Sequence, residues 1–147
     1  MAKISGGEKL TAALRGIAEK ASNAALVRVG FLENATYPDG KSVALIAAIQ
    51  EFGAPSVGIP PRPYFRHMIA AKSGEWPDAI AGLLKTNDYD AAKTLGQTGQ
   101  AVSGQLRQSI VDTNSPPNAP STVARKGSAK PLVDTGHMLA SVDYEVK

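Results

Sequence analysis

Ser141-Val142-Asp143-Tyr144-Glu145-Val146 alternates with a period of two: Val142, Tyr144 and Val146 fall on one face, Ser141, Asp143 and Glu145 on the other. That is the pattern of a strand with one covered face. A second stretch reads the same way. In Ala25-Leu26-Val27-Arg28-Val29-Gly30-Phe31, the residues Val27, Val29 and Phe31 alternate with Leu26, Arg28 and Gly30. The two strands predict an antiparallel pair. The chain between them carries mainly helical periodicity. The expected fold is therefore α+β, a small antiparallel sheet packed against several helices.

Residues 8–22 place Leu10, Leu14, Ile17 and Ala21 on one helical face, with Lys9, Arg15, Glu19 and Lys20 on the wet side. Ser42 predicts the N-cap of a second helix that runs to Phe52, and Gly53 is placed to stop it. Val43, Ile46 and Ala47 line one side of this helix, and Leu45 and Ile49 another, which predicts thorough burial. Residues 54–63 are a loop stiffened by Pro55, Pro60, Pro61 and Pro63. It reads either as a rigid connector or as a contact surface. Tyr64, Phe65, Met68 and Ile69 give the next helix its apolar face. Trp76, Ile80, Leu83 and Leu84 continue the spacing beyond Gly74.

The longest helix is expected over 89–112, with Ala92, Leu95, Val102, Leu106, Ile110 and Val111 on its apolar side. Gly96, Gly99 and Gly104 each weaken it by about 1 kcal/mol relative to Ala. They predict close packing or a bend. Residues 113–130 then form a long Pro-rich basic loop, or extended arm, before the C-terminal strand. The arm holds Arg125, Lys126 and Lys130 and no acidic residue, so it reads as a solvated loop or as a surface for phosphate or an acidic partner. It is an insertion within one domain, 1–147, not a linker between two.

A chain of 147 residues suits a single core. Aromatic residues make up only 5%, so that core is thin and built from Leu, Ile, Val and Ala, the kind that oligomerisation often stabilises. No cysteine is present, which excludes disulfides and thiolate chemistry. Met1-Ala2-Lys3-Ile4-Ser5-Gly6-Gly7 has no apolar signal core, and the apolar run from Val43 to Ile49 is too short to span a bilayer. A soluble, intracellular chain with no membrane partner is expected. The net charge of +3 is too mild to make a nucleic-acid binder by itself.

Leu132-Val133-Asp134-Thr135-Gly136 has the local pattern of an aspartic protease's catalytic turn. Such an enzyme needs two carboxylates sharing one site, and much sheet after the turn. Here only the residues to Lys147 follow. The other reading makes Asp134 the cap of a short helix starting at Thr135. His67 and His137 lie far apart and have no partner at metal-ligand spacing. No G-x-S-x-G, P-loop or G-x-G-x-x-G is present. The chain is expected to be no enzyme and to carry no catalytic residue, cofactor or metal. Arg62 and Arg66 flank Tyr64-Phe65, a grouping that serves as an interface anchor, as a base-stacking pair or as plain packing.

Two stretches together carry a family resemblance. The first is Ala47-Ala48-Ile49-Gln50-Glu51-Phe52-Gly53 followed by Ile59-Pro60-Pro61-Arg62-Pro63-Tyr64-Phe65-Arg66. The second runs from Pro120-Ser121-Thr122-Val123-Ala124-Arg125-Lys126-Gly127 through Pro131-Leu132-Val133-Asp134-Thr135-Gly136-His137-Met138-Leu139 to Val146. In order and separation they resemble the tail-completion, neck and virion-morphogenesis proteins of tailed phages (siphophages), and are similar to the minor tail protein Z type of lambdoid phages. The resemblance implies a small α+β structural subunit without a cofactor, made in the host cytoplasm and built into the virion. It implies a homo-hexameric ring at the head-proximal end of the tail, in contact with other phage neck and tail proteins. A tail terminator or head-closure ring is the alternative, and a basic nucleic-acid-binding module the alternative of another class.

A closed ring needs two different patches on each subunit. The expected patches are the stiff loop, with Phe52, Pro60, Arg62, Tyr64 and Arg66, and the arm, with Arg125, Lys126 and Lys130. Arg125 and Lys126 are also the residues expected to touch genome DNA in the lumen, through sequence-blind phosphate contacts.

Overall fold

The computed structural model describes residues 5–127, 131–133 and 136–147. Lys130, Asp134 and Thr135 lie outside them, and with them the Asp134 cap and one of the arm's three cations. The two alternating stretches form the expected sheet. Strand β1 (Val27–Phe31) pairs antiparallel with β2 (Val142–Val146), from Val27 opposite Val146 to Phe31 opposite Val142. Arg28 and Glu145 face each other across the ladder at 3.4 Å. Leu26 and Lys147 exchange both backbone bonds at 2.9 Å and extend the pairing by one step.

The helices follow in chain order: α1 (Gly7–Ala21), α2 (Val43–Phe52), α3 (Tyr64–Lys72), α4 (Trp76–Thr86), α5 (Ala91–Asp112), α6 (Pro120–Lys126) and α7 (His137–Ala140). Helix α5 is the spine. Thr94, Thr98, Val102, Leu106 and Ile110 recur at helical spacing and are buried. At Gly99 the helix meets the sheet so closely that an added Cβ would sit 2.4 Å from the Tyr144 ring and 2.8 Å from Val27. Gly99 is thus the close-packing position among the three glycines; Gly96 and Gly104 have open space beside them. The core joins Val102, Leu106 and Ile110 to Val43 and Ala47 of α2, Tyr64 and Met68 of α3, Met138 of α7 and Val142 of β2.

Three expectations are corrected. The long helix starts at Ala91, not Tyr89, because Asp88 and Tyr89 adopt left-handed backbone (φ 52° and 61°) and Asp90 is the N-cap, its carboxylate accepting from the Lys93 amide at 2.9 Å. The arm is not extended throughout. Pro120 supplies a pre-set φ at the first turn of α6, and Gly127, at φ 69°, ends that helix. Helix α2 is buried only along Val43, Ala47 and Glu51, while Leu45 and Phe52 face outward. Helix α1 forms as expected but buries nothing: Leu10, Leu14 and Ile17 are all exposed. It is held at its C-terminal end. Lys20 pairs with Asp88, and Asn23 bonds both the Asp90 carboxylate (3.1 Å) and the Ala92 amide (2.8 Å). No helix among the described residues is long and apolar enough to cross a membrane.

Candidate subunit interface

The first motif folds back on itself. Gly53 ends α2 at φ 76°, and a Cβ there would lie 2.7 Å from the Pro61 nitrogen and 2.9 Å from the Ile59 carbonyl, so the turn admits only glycine. Ala54 and Ile59 exchange backbone bonds at 2.8 and 3.1 Å, closing a loop around a 3-10 turn at Pro55–Val57. Val57, at the tip, is exposed. The returning run of prolines brings Arg62 beside α2, where its amide donates to the Gln50 carbonyl at 2.7 Å.

This fold-back sorts the motif into inside and outside. Arg62 is 5% exposed and Tyr64 1%. Neither presents a surface to a partner, which corrects their placement as contact residues. The Tyr64 hydroxyl donates to the Ala47 carbonyl at 3.0 Å, and burial, with the Glu51 charge nearby, holds its pKa well above the phenol range. Desolvation lowers the pKa of the Arg62 guanidinium.

Glu51 is also inside, and its role was not read from the sequence. Its carboxylate accepts the amides of Phe65 (2.9 Å) and Arg66 (3.2 Å), the first turn of α3. Pro63 precedes that helix and has no side-chain cap to give it. A residue of α2 therefore caps α3 from outside. The signal was available: a helix that opens on Pro-Tyr-Phe-Arg leaves amides in need of an acceptor, and Glu51 is the carboxylate inside the same motif.

On the outside, Arg66 donates from Nε to Glu51 at 2.7 Å and lays its guanidinium over the Phe52 ring, 5.0 Å from the centroid. Phe52 remains 64% exposed. Next to it lies an apolar groove of about 280 Å3, lined by Phe31, Ala44, Ala48 and Phe65 together with Phe52 and Arg66. Leu45, seven residues before Phe52, lies on the same face of α2. Phe52 and Arg66 are exposed, Pro60 is half-buried, and Leu45 and Val57 are further exposed apolar residues that sequence reasoning missed.

The arm carries the other predicted residues. Arg125 is exposed, and Lys126 is half-buried, with Nζ 3.5 Å from the Pro131 carbonyl. The two histidines are not gathered into a site. His137 bonds the Thr36 carbonyl at 2.7 Å and packs on the Tyr37 ring, while His67 borders a separate groove between α3 and α5. Among the described residues no three His, Asp or Glu side chains are grouped to hold a metal ion. Comparison of the chain with protein-family models, with curated proteins and with solved structures gives no match.

Proposed function

We propose that this chain is a structural subunit of a tailed-phage virion: a homo-hexameric ring at the head-proximal end of the tail that joins other neck and tail proteins. Its work is to bind, not to turn over a substrate. The observation that carries the reading is Phe52. An aromatic ring left 64% exposed, pre-oriented by Arg66 and set beside an apolar groove, is the composition of an interface anchor. It belongs to the motif on which the family resemblance rests. A second apolar face, the Leu10, Leu14 and Ile17 stripe of α1, supports the same reading. Two unlike faces on one chain are what a closed, heterologous ring requires.

The test is light scattering with negative-stain imaging of the wild type and of Phe52→Glu, each alone and with purified tails that lack the protein. Wild type should form rings in one of the two settings. Phe52→Glu should keep the wild-type circular dichroism yet stay monomeric in both. Ring formation by Phe52→Glu at wild-type concentration would refute the assignment of this surface.

A further inference from the structure

Arg62 is a buried cation whose hydrogen-bond acceptors among the described residues are all uncharged. Nη1 donates to Gln50 Oε1 of α2 at 3.2 Å. The remaining bonds go to three consecutive residues at the root of the arm: Nε to the Pro116 carbonyl at 2.8 Å, and Nη2 to the Pro117 carbonyl and Asn118 Oδ1, each at 3.3 Å. One side chain thus ties α2 to a segment distant in sequence. The planar fork of guanidinium donors suits this task, because it engages several acceptors in one fixed geometry. Beyond this root, α6 buries no residue.

We infer that Arg62 is a latch and that residues 113–127 form a strap it holds against the body, releasable without unfolding the core. Arg62 makes a side-chain bond to each of Pro116, Pro117 and Asn118, and α6 beyond them has half-buried residues (Thr122, Val123 and Lys126) but no fully buried one. The hold is also displaceable in principle: a carboxylate binds a guanidinium more strongly than neutral carbonyls do. The latch is a property of the single chain and does not depend on ring formation. It gives the arm a set direction, so that Arg125 and Lys126 are presented from a fixed root.

The experiment is hydrogen exchange by mass spectrometry on the full chain, comparing wild type, Arg62→Gln and Asn118→Asp. Arg62→Gln should speed exchange in peptides within 113–127 by roughly tenfold or more, with the peptides of α5 and the sheet unchanged. Asn118→Asp places a carboxylate against Nη2 and should slow exchange in the same peptides. Unchanged exchange in 113–127 for Arg62→Gln overturns the latch. Should Arg62→Gln unfold the whole chain, Asn118→Asp decides: slowing confined to 113–127 supports the latch, and unchanged or faster exchange there overturns it.

Discussion

Glu51 holds Arg66 through both backbone and side chain. Its carboxylate accepts from the Arg66 amide at 3.2 Å and from Nε at 2.7 Å, and its carbonyl accepts from Nη2 at 3.2 Å. One buried carboxylate therefore starts a helix and positions the cation that stacks on Phe52. Glu51→Ala should cost roughly 2–4 kcal/mol, a cap and a charge-assisted bond together. Glu51→Gln should cost less, since the amide keeps one acceptor oxygen. Urea unfolding followed by circular dichroism measures both.

The glycines of α5 should respond with opposite signs. Gly99→Ala pushes a methyl into the Tyr144 ring and Val27, and the sheet has to shift; a loss of about 1–3 kcal/mol follows. Gly96→Ala and Gly104→Ala meet open space in a helix interior and should gain up to about 1 kcal/mol each. Thermal melts of the three variants would separate tight packing from helix propensity.

Removing exposed apolar residues should leave stability almost untouched. Leu14→Lys, on a helix that buries nothing, should change unfolding by less than about 0.5 kcal/mol. Phe52→Ala should lose no more than about 1 kcal/mol, the scale of an exposed cation–π contact. Both variants should assemble poorly in sedimentation velocity runs. A large stability loss in either would mean that its face is used within the monomer.

Asp90 makes the start of α5 acid-sensitive. The Lys93 amide and then the Asn23 side chain stabilise its charged form and hold its pKa below the ordinary 3.8. A carboxylate whose pKa is lowered on folding adds stability above its unfolded value and loses it as the pH falls through the folded one. Asp90→Asn keeps a capping oxygen but cannot titrate. It should be less stable than wild type at pH 7, and the gap should narrow as the pH falls below about 4. Urea midpoints at neutral pH and near pH 3 would show it.

The sheet was legible because alternation in 25–31 and 141–146 is a local signal, and the pairing followed from having two such stretches. The positions of α1 to α5 were legible for the same reason, down to the Ser42 cap, which accepts from the Leu45 amide at 3.3 Å, whereas α6 was read as part of a loop or extended arm. Burial was not. Periodicity shows that Leu10, Leu14 and Ile17 share a face, but not whether that face meets this chain or nothing in it. Helix α2, apolar on both sides, was read as well buried, yet Leu45, Ala48 and Phe52 face outward.

The candidate site was half legible. Its motif was visible, and so were Phe52 and Arg66 as its outer residues. The inward turn of Arg62 was hidden, because two of its guanidinium's four acceptors among the described residues are proline carbonyls more than fifty positions away, and a backbone carbonyl leaves no mark in the sequence. Glu51 was missed because capping was sought within each helix, and this cap comes from the neighbouring one.

The pairing of Val27 with Val146 also has a consequence for how the chain is made. On a ribosome, β1 emerges well before its partner β2 and waits for it while α2 to α7 are made. Helices α2 to α5 can form as they appear, since their bonds are local. The sheet, and with it the fit of Tyr144 against Gly99, comes only once β2 has followed the helices. Contacts that close so long a loop are slow to form. A chain interrupted before Val142 would keep its helices, yet offer β1 as an unpaired edge open to other chains.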